Sequence, residues 1–186
     1  KRQDLDDPIF PSVKRQLSDE ARVLYLVNSA QPYTVSGYTV RTQKLLHELR
    51  RQDVAVYPAT RMGYPATIGV IPTRDSVSVD DINYFLLLPS RMSLRRGQNR
   101  RKAMNLLVEM ARQLDITLLH TTTDFRNASL ISEVARILEI PWVYEVRGER
   151  DKTLELEHSG QRSREFLAEF RRRETQAMQA ASAVLV

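Results

Sequence analysis

Arg22-Val23-Leu24-Tyr25-Leu26-Val27, followed by the polar loop 28–37 and then by Tyr38-Thr39-Val40-Arg41-Thr42, decides the fold. The first six residues are a short, β-rich apolar run of the kind that forms a central parallel strand, where both faces are covered. Leu45, Leu46 and Leu49 then recur at helical spacing, so a helix opens at Tyr38. Strand, polar loop and helix in that order make a phosphate-facing unit. In open α/β sheets ligands lie in the crevice beyond the carboxyl ends of the strands, which is where this loop falls.

The same alternation continues outward along the chain. Val54-Ala55-Val56-Tyr57 predicts a second strand, with the loop 58–67, carrying Gly63 and Pro65, beyond it. Residues 68–71 predict a short third strand and residues 82–88 a clearer fourth, closed by Pro89. After a basic turn at 90–97, Ala103, Leu106, Leu107, Met110, Ala111 and Leu114 fall on one face of a helix. Thr117-Leu118-Leu119-His120 predicts a strand that ends at His120, with Thr121-Thr122-Thr123-Asp124 at its mouth. Ile131, Val134, Ala135 and Leu138 mark the next helix, and Trp142-Val143-Tyr144-Glu145-Val146 the next strand, ending in Arg147-Gly148. A helix over 161–181 and a strand Ala183-Val184-Leu185-Val186 close the chain. This order implies right-handed crossovers and an α/β fold: a doubly wound, Rossmann-like parallel sheet of about six or seven strands with helices on both faces.

With 186 residues and 42% hydrophobic content the chain can bury one sizeable core. Residues 1–20, charged and carrying Pro8 and Pro11, predict an amino-terminal arm, and residues 21–186 one domain. A start at Lys1 and a bare apolar strand at the end predict a piece of a longer protein. The 28 Lys and Arg against 23 Asp and Glu leave a charge of +5, which attracts phosphates or anionic lipid weakly. The lack of cysteine excludes disulfides and thiolate metal sites and suits a reducing compartment such as the cytoplasm, or equally a secreted protein that needs no staples. No run approaches the roughly eighteen apolar residues of a spanning helix, so the expected location is cytoplasmic, at most peripheral at the inner membrane face.

Four places carry candidate chemistry. Ser36 and Gly37 stand at the amino end of a helix, where free N–H groups and the dipole favour an anion. Equally, Ser36 caps the helix and Gly37 relieves a tight entry. The loop has neither the three-glycine dinucleotide fingerprint nor the lysine of a P-loop. His120 reads as a ligand contact at a strand end, or as a half-buried histidine satisfied by a carbonyl; Asp124 orients it or caps the next helix. Arg147, beside Gly148, is a fork-shaped donor for a phosphate or carboxylate, or else the partner of Glu145 or Glu149. The basic runs Arg95, Arg96, Arg100, Arg101, Lys102 and Arg171-Arg172-Arg173 read as solvated helix faces; the sharper alternative is attachment to an anionic membrane, at about 1 kcal/mol per basic residue. His47, His120 and His158 have no metal-ligand spacing, so no metal is expected.

Ser36-Gly37-Tyr38-Thr39-Val40-Arg41-Thr42 followed by Leu45-Leu46-His47-Glu48-Leu49, then Thr60-Arg61-Met62-Gly63-Tyr64-Pro65, resembles the amino-terminal half of family 4 (group 1) glycosyltransferases of the GT-B type. Leu118-Leu119-His120, Ile140-Pro141-Trp142-Val143-Tyr144-Glu145-Val146-Arg147-Gly148, and Glu174 ahead of Ala181-Ser182-Ala183-Val184-Leu185 are similar to that family's histidine strand, its Pro-led strand and its approach to the interdomain junction. The resemblance implies two Rossmann-like domains facing across a cleft, with this chain as the acceptor-side half. The donor-binding carboxyl-terminal domain, with its paired glutamates, is absent.

It further implies a retaining hexosyltransferase that takes a nucleotide-diphosphate sugar as substrate, needs no cofactor, and glycosylates a hydroxyl of a carbohydrate, lipid-linked or small-molecule acceptor. This fragment alone would be inactive. By resemblance Ser36 and Gly37 approach the donor diphosphate, His120 faces the donor sugar as the catalytic residue, and Arg147, Gly148 and Asp124 belong to the acceptor side or cleft. Ser36 stands where the family often has a second glycine. The competing expectation is a non-catalytic basic Rossmann-like module that grips a phosphorylated ligand or nucleic acid. Nucleic acid is disfavoured because aromatic residues are not interleaved with the basic runs as stacking platforms.

Overall fold

Strand β1, Arg22–Val27, runs through the middle of the sheet and sends alternate side chains to opposite faces. Leu24 and Leu26 enter one core with Leu107, Leu119, Ile131 and Trp142, while Tyr25 and Val27 enter a second with Leu46, Ile82 and Tyr84. Two covered faces explain why β1 reads as a continuous apolar run, each fully buried Leu contributing on the order of 2 kcal/mol. The computed structural model describes residues 21–89, 93, 96–147 and 161–186. The arm expected over 1–20 lies outside the described residues, as do Gly148, Glu149, Arg95 and His158.

After β1 come α1 (Gly37–Arg51), β2 (Ala55–Thr60), a 3-10 turn at Ala66–Ile68, β3 (Ser76–Val79), β4 (Ile82–Leu86), α2 (Arg96–Gln113), β5 (Leu118–Thr122), α3 (Phe125–Leu138), β6 (Trp142–Glu145), α4 (Gln161–Ala180) and β7 (Ala183–Leu185). The sheet has seven strands in the order β3-β4-β2-β1-β5-β6-β7. All neighbours are parallel except β3 and β4. The chain leaves β1 toward β2 on one side and returns to β5 on the other, so the strand order reverses between β1 and β5. A crevice opens at such a switch point.

Three expectations are corrected. Residues 68–71 are not a strand: Ile68 ends the 3-10 turn, Gly69 takes a left-handed φ of 84°, and Ile71 is 88% exposed. The third strand is Ser76–Val79, joined to β4 by Asp80 and Asp81, whose φ values of 46° and 63° make a tight hairpin turn. The edge of the sheet is therefore antiparallel. Second, β2 continues through Pro58 to Thr60 instead of ending at Tyr57, in register with β1 up to Val27↔Thr60. Third, β5 runs two residues past His120, because Thr121 and Thr122 pair with Tyr144 and Glu145 of β6.

Candidate functional site

A cavity of about 740 Å³ opens at the carboxyl ends of the central strands. Arg61 follows β2, Asn28 follows β1, Thr122 and Thr123 end β5, and Arg147 follows β6, so its floor crosses four adjacent strand tips. Ser36, Tyr38 and Thr42 of the α1 entry form one wall; Asp124, Arg126 and Asn127 of the α3 entry form another. The two walls are tied through the floor. Asn127 Nδ2 donates to Asn28 Oδ1 at 2.8 Å, and Asn28 Nδ2 donates to the Thr123 carbonyl at 3.1 Å. On the β2 side, Tyr64 Oη lies 2.8 Å from both the Ala30 carbonyl and Thr34 Oγ1, holding the loop after β1 against the loop after β2.

The two helix entries differ. At α1, Ser36 accepts from the Thr39 amide at 3.3 Å and donates its own amide to Thr39 Oγ1 at 2.9 Å, a capping box. The amides of Gly37 and Tyr38 have no intrahelical acceptor, and among the described residues no side chain takes them. At α3, Asp124 Oδ1 accepts from the Arg126 amide at 3.1 Å and Glu174 Oε1 from the Phe125 amide at 2.7 Å. Carboxylates thus occupy the second entry, and the first keeps donors for an anion. Ser36 takes the cap role and also lines the cavity. A Cβ added at Gly37 would meet no atom within 4 Å, so the position is open space.

Arg147 lines the cavity and also forms the ion pair with Glu145 that was its alternative reading. Its Nη2 donates to Tyr25 Oη at 2.7 Å and to Glu145 Oε2 at 2.9 Å; its Nη1 donates to the Tyr38 carbonyl at 3.0 Å and to Thr42 Oγ1 at 2.6 Å. Tyr25 Oη in turn donates to Glu145 Oε2 at 2.6 Å, and Arg41 of α1 reaches Glu145 Oε1 at 3.1 Å. One buried carboxylate therefore anchors the first two turns of α1 through two arginines. Burial by itself would raise the Glu145 pKa, but hydrogen bonds from Arg147 and Tyr25, with the Arg147 charge, hold it below its ordinary value. Arg147 Nε is buried without an acceptor among the described residues.

The structure places His120 within a strand and not at its end. It lies inside β5, only 5% exposed, and is not among the residues lining the cavity. Its ring stacks on Tyr25 with centroids 4.0 Å apart and planes 2° from parallel. Nε2 sits 3.6 Å from Glu145 Oε2, close enough for an ion pair if protonated but beyond hydrogen-bond range. Burial pushes its pKa down to about 4, the Glu145 charge opposing and the Arg147 charge assisting, so the ring is neutral near pH 7. Asp124 takes the cap role and pairs with Arg126 at 2.9 Å. Of the basic runs, Arg100 is paired with Glu133, and Arg172 and Arg173 with Glu169, whose carboxyl their hydrogen bonds pull down to about 2.

Sequence reading missed Tyr25, Asn28, Arg61, Tyr64 and Asn127. Asn28 and Arg61 carry a signal, since each is the first residue past a strand. The Asn28–Asn127 and Tyr25–Glu145 contacts join residues about a hundred positions apart and leave no local trace. Among the described residues no group of His, Asp and Glu is placed to hold a metal ion, and no helix is long and apolar enough to cross a membrane.

No family model and no curated protein matches the sequence. Solved structures share its fold. Sucrose-phosphate synthase from Thermosynechococcus elongatus superposes with a TM-score of 0.62 and 11% identity over 89% of this chain. MurG from Acinetobacter baumannii does so with a TM-score of 0.54 and 12% identity over 88%. The match covers 42% and 40% of those two chains, so this chain spans well under half the length of either. The shared architecture is the Rossmann-like domain of the GT-B fold.

Proposed function

We propose that this chain is the amino-terminal, acceptor-side domain of a GT-B glycosyltransferase that moves a hexosyl group from a nucleotide-diphosphate donor to an acceptor hydroxyl with retained configuration, in the manner of family 4. The observation that carries the reading is the α1 entry. Two unclaimed amides, Gly37 and Tyr38, stand at the helix entry whose Ser36 and Tyr38 line the cavity at the β1/β5 switch point, and a buried carboxylate holds that helix turn in place. Its fold is one that two much longer glycosyltransferases use for part of their length.

In such a reaction negative charge grows on the departing diphosphate. Fixed N–H donors at a helix entry stabilise it without having to reorganise, which is worth most where water is excluded. A second domain would supply the exclusion by closing over the cavity. His120 enters this scheme as a positioning residue. Packed flat on Tyr25, it fixes the hydroxyl that Arg147 and Glu145 share, and Arg147 fixes the Tyr38 carbonyl. The basic runs lend less support to a nucleic-acid or membrane surface, because Arg100, Arg172 and Arg173 are engaged in ion pairs.

The test is to incubate the full-length protein with a panel of nucleotide-diphosphate sugars and follow release of the nucleoside diphosphate. Turnover of one donor, with anomeric configuration kept in the product, is the expected result. Tight binding of a phosphorylated ligand with no turnover of any donor would replace the transferase by a binding module.

A further inference from the structure

Among the described residues three arginines line the cavity, and two of them are neutralised in place. Arg147 is paired with Glu145 at 2.9 Å and Arg126 with Asp124 at 2.9 Å. Asp124 is the only carboxylate among the described lining residues, and Arg126 already holds it. Arg61 is different. Among the described residues it has no carboxylate partner; its one side-chain contact is a long hydrogen bond, 3.5 Å, from Nη2 to Thr67 Oγ1. A guanidinium has five N–H donors, so this exposed, cavity-lining side chain keeps most of them for a ligand.

The setting of Arg61 is built rather than incidental. Its amide donates to the Val27 carbonyl at 2.8 Å, which seats it at the tip of β2 directly beside the end of β1. Its carbonyl accepts from the Tyr64 amide, and Tyr64 ties the same loop to Ala30 and Thr34. With strands about 4.8 Å apart, the Arg61 backbone stands about one strand from Asn28 and three strands, roughly 14 Å, from Arg147. The uncompensated charge therefore lies at the β2 end of the floor.

We infer that the second substrate carries an anionic group, a phosphate or a carboxylate, which Arg61 grips at the β2 end of the cavity while the substrate's hydroxyls meet Asn28 and Ser29. The inference rests on the acceptor-side reading above and deepens it by naming the acceptor class. A planar guanidinium matches a phosphate or carboxylate through two parallel hydrogen bonds, which an ammonium cannot reproduce. An acceptor held at one end by its charge has its hydroxyls spread along the floor toward the α1 entry, so Arg61 would select both the molecule and the hydroxyl presented.

The test uses the full-length protein and inorganic phosphate as probe, titrated calorimetrically into the wild type, Arg61→Gln, Arg61→Lys and Gly37→Val, with thermal melts to confirm folding. Saturable binding in the wild type is expected, weakened roughly ten-fold or more in Arg61→Gln and partly restored in Arg61→Lys. In transfer assays, preference for hexose 6-phosphate or hexuronate over free hexose should collapse in Arg61→Gln. Phosphate affinity indifferent to Arg61, or lost in Gly37→Val alone, overturns the inference, because the anion then sits at the α1 entry. A wild type that releases nucleoside diphosphate yet prefers the neutral hexose overturns it too and leaves the transferase reading standing. Failure to turn over any donor refutes the transferase reading instead, through an assay that does not depend on phosphate.

Discussion

The imidazole of His120 lies flat on the phenol of Tyr25, 4.0 Å between ring centres, and that phenol donates a 2.6 Å hydrogen bond to Glu145. A neutral ring is thus packed against the group that completes a buried ion pair. Protonating it would place a cation within 3.6 Å of Glu145 but at a buried position where the charged form is desolvated, and burial wins.

The pH dependence of stability follows. The His120 pKa falls from 6.5 in the unfolded chain to about 4 in the folded one. Between those values the unfolded chain binds more protons, so the stabilisation is complete above about pH 6.5 and is lost as pH falls toward 4. Its full size is on the order of 3 kcal/mol. His120→Phe keeps the stack and removes the titration, so urea midpoints of the variant should hardly change from pH 7 to 5 while the wild type weakens. Parallel curves would contradict the assignment. Glu145, whose pKa is lowered, adds its own loss only at more acidic pH.

Arg147→Ala leaves the Glu145 carboxylate buried with one of its two cations gone. Destabilisation of about 3 kcal/mol or more is expected by chemical denaturation. The double variant Glu145→Gln/Arg147→Met removes both charges and should recover more than half of that. A double variant as unstable as the single one would show that the hydrogen bonds to Tyr38 and Thr42, and not the charge, hold α1.

Gly37→Val separates folding from ligand contact. Because the added side chain points into open space, the melting temperature should change little. A branched side chain beside the unclaimed amides would keep a diphosphate away from them, and turnover in the full-length protein should fall roughly a hundred-fold. Wild-type turnover in a folded variant would leave Gly37 with a helix-entry role only.

Ser36→Ala removes the cap from Thr39 and should cost about 1 kcal/mol, visible in a urea melt. Ser36→Asp restores the acceptor but puts a negative charge at the cavity wall. It should therefore regain stability while lowering turnover, and a variant that regains both would argue against an anion at this entry.

The central strands and the helices facing them were legible because their patterns are local. The apolar run 22–27 and the spacing of Ile131, Val134, Ala135 and Leu138 depend on neighbours within two turns. The β3 hairpin escaped notice because its turn is Asp80-Asp81, a pair without the glycine that usually marks positive φ. At the site, position along the chain located the strand tips but not the direction of the side chains. For Arg147 the ligand donor and the Glu145 partner could not be told apart until Tyr25 and Glu145 closed around it, and His120 looked like a strand end until Thr121 and Thr122 extended β5.

Arg41 and Arg147 grip opposite oxygens of Glu145, one from α1 and one from the tip of β6. Helix and sheet are thereby bolted at the mouth of the cavity, and this wall cannot flex inward by bending α1 without exposing a charge pair. On the proposed two-domain reading, any gripping motion over bound molecules would have to come from whole bodies swinging against a stiff jaw, and hinge-altering substitutions would then act outside this wall.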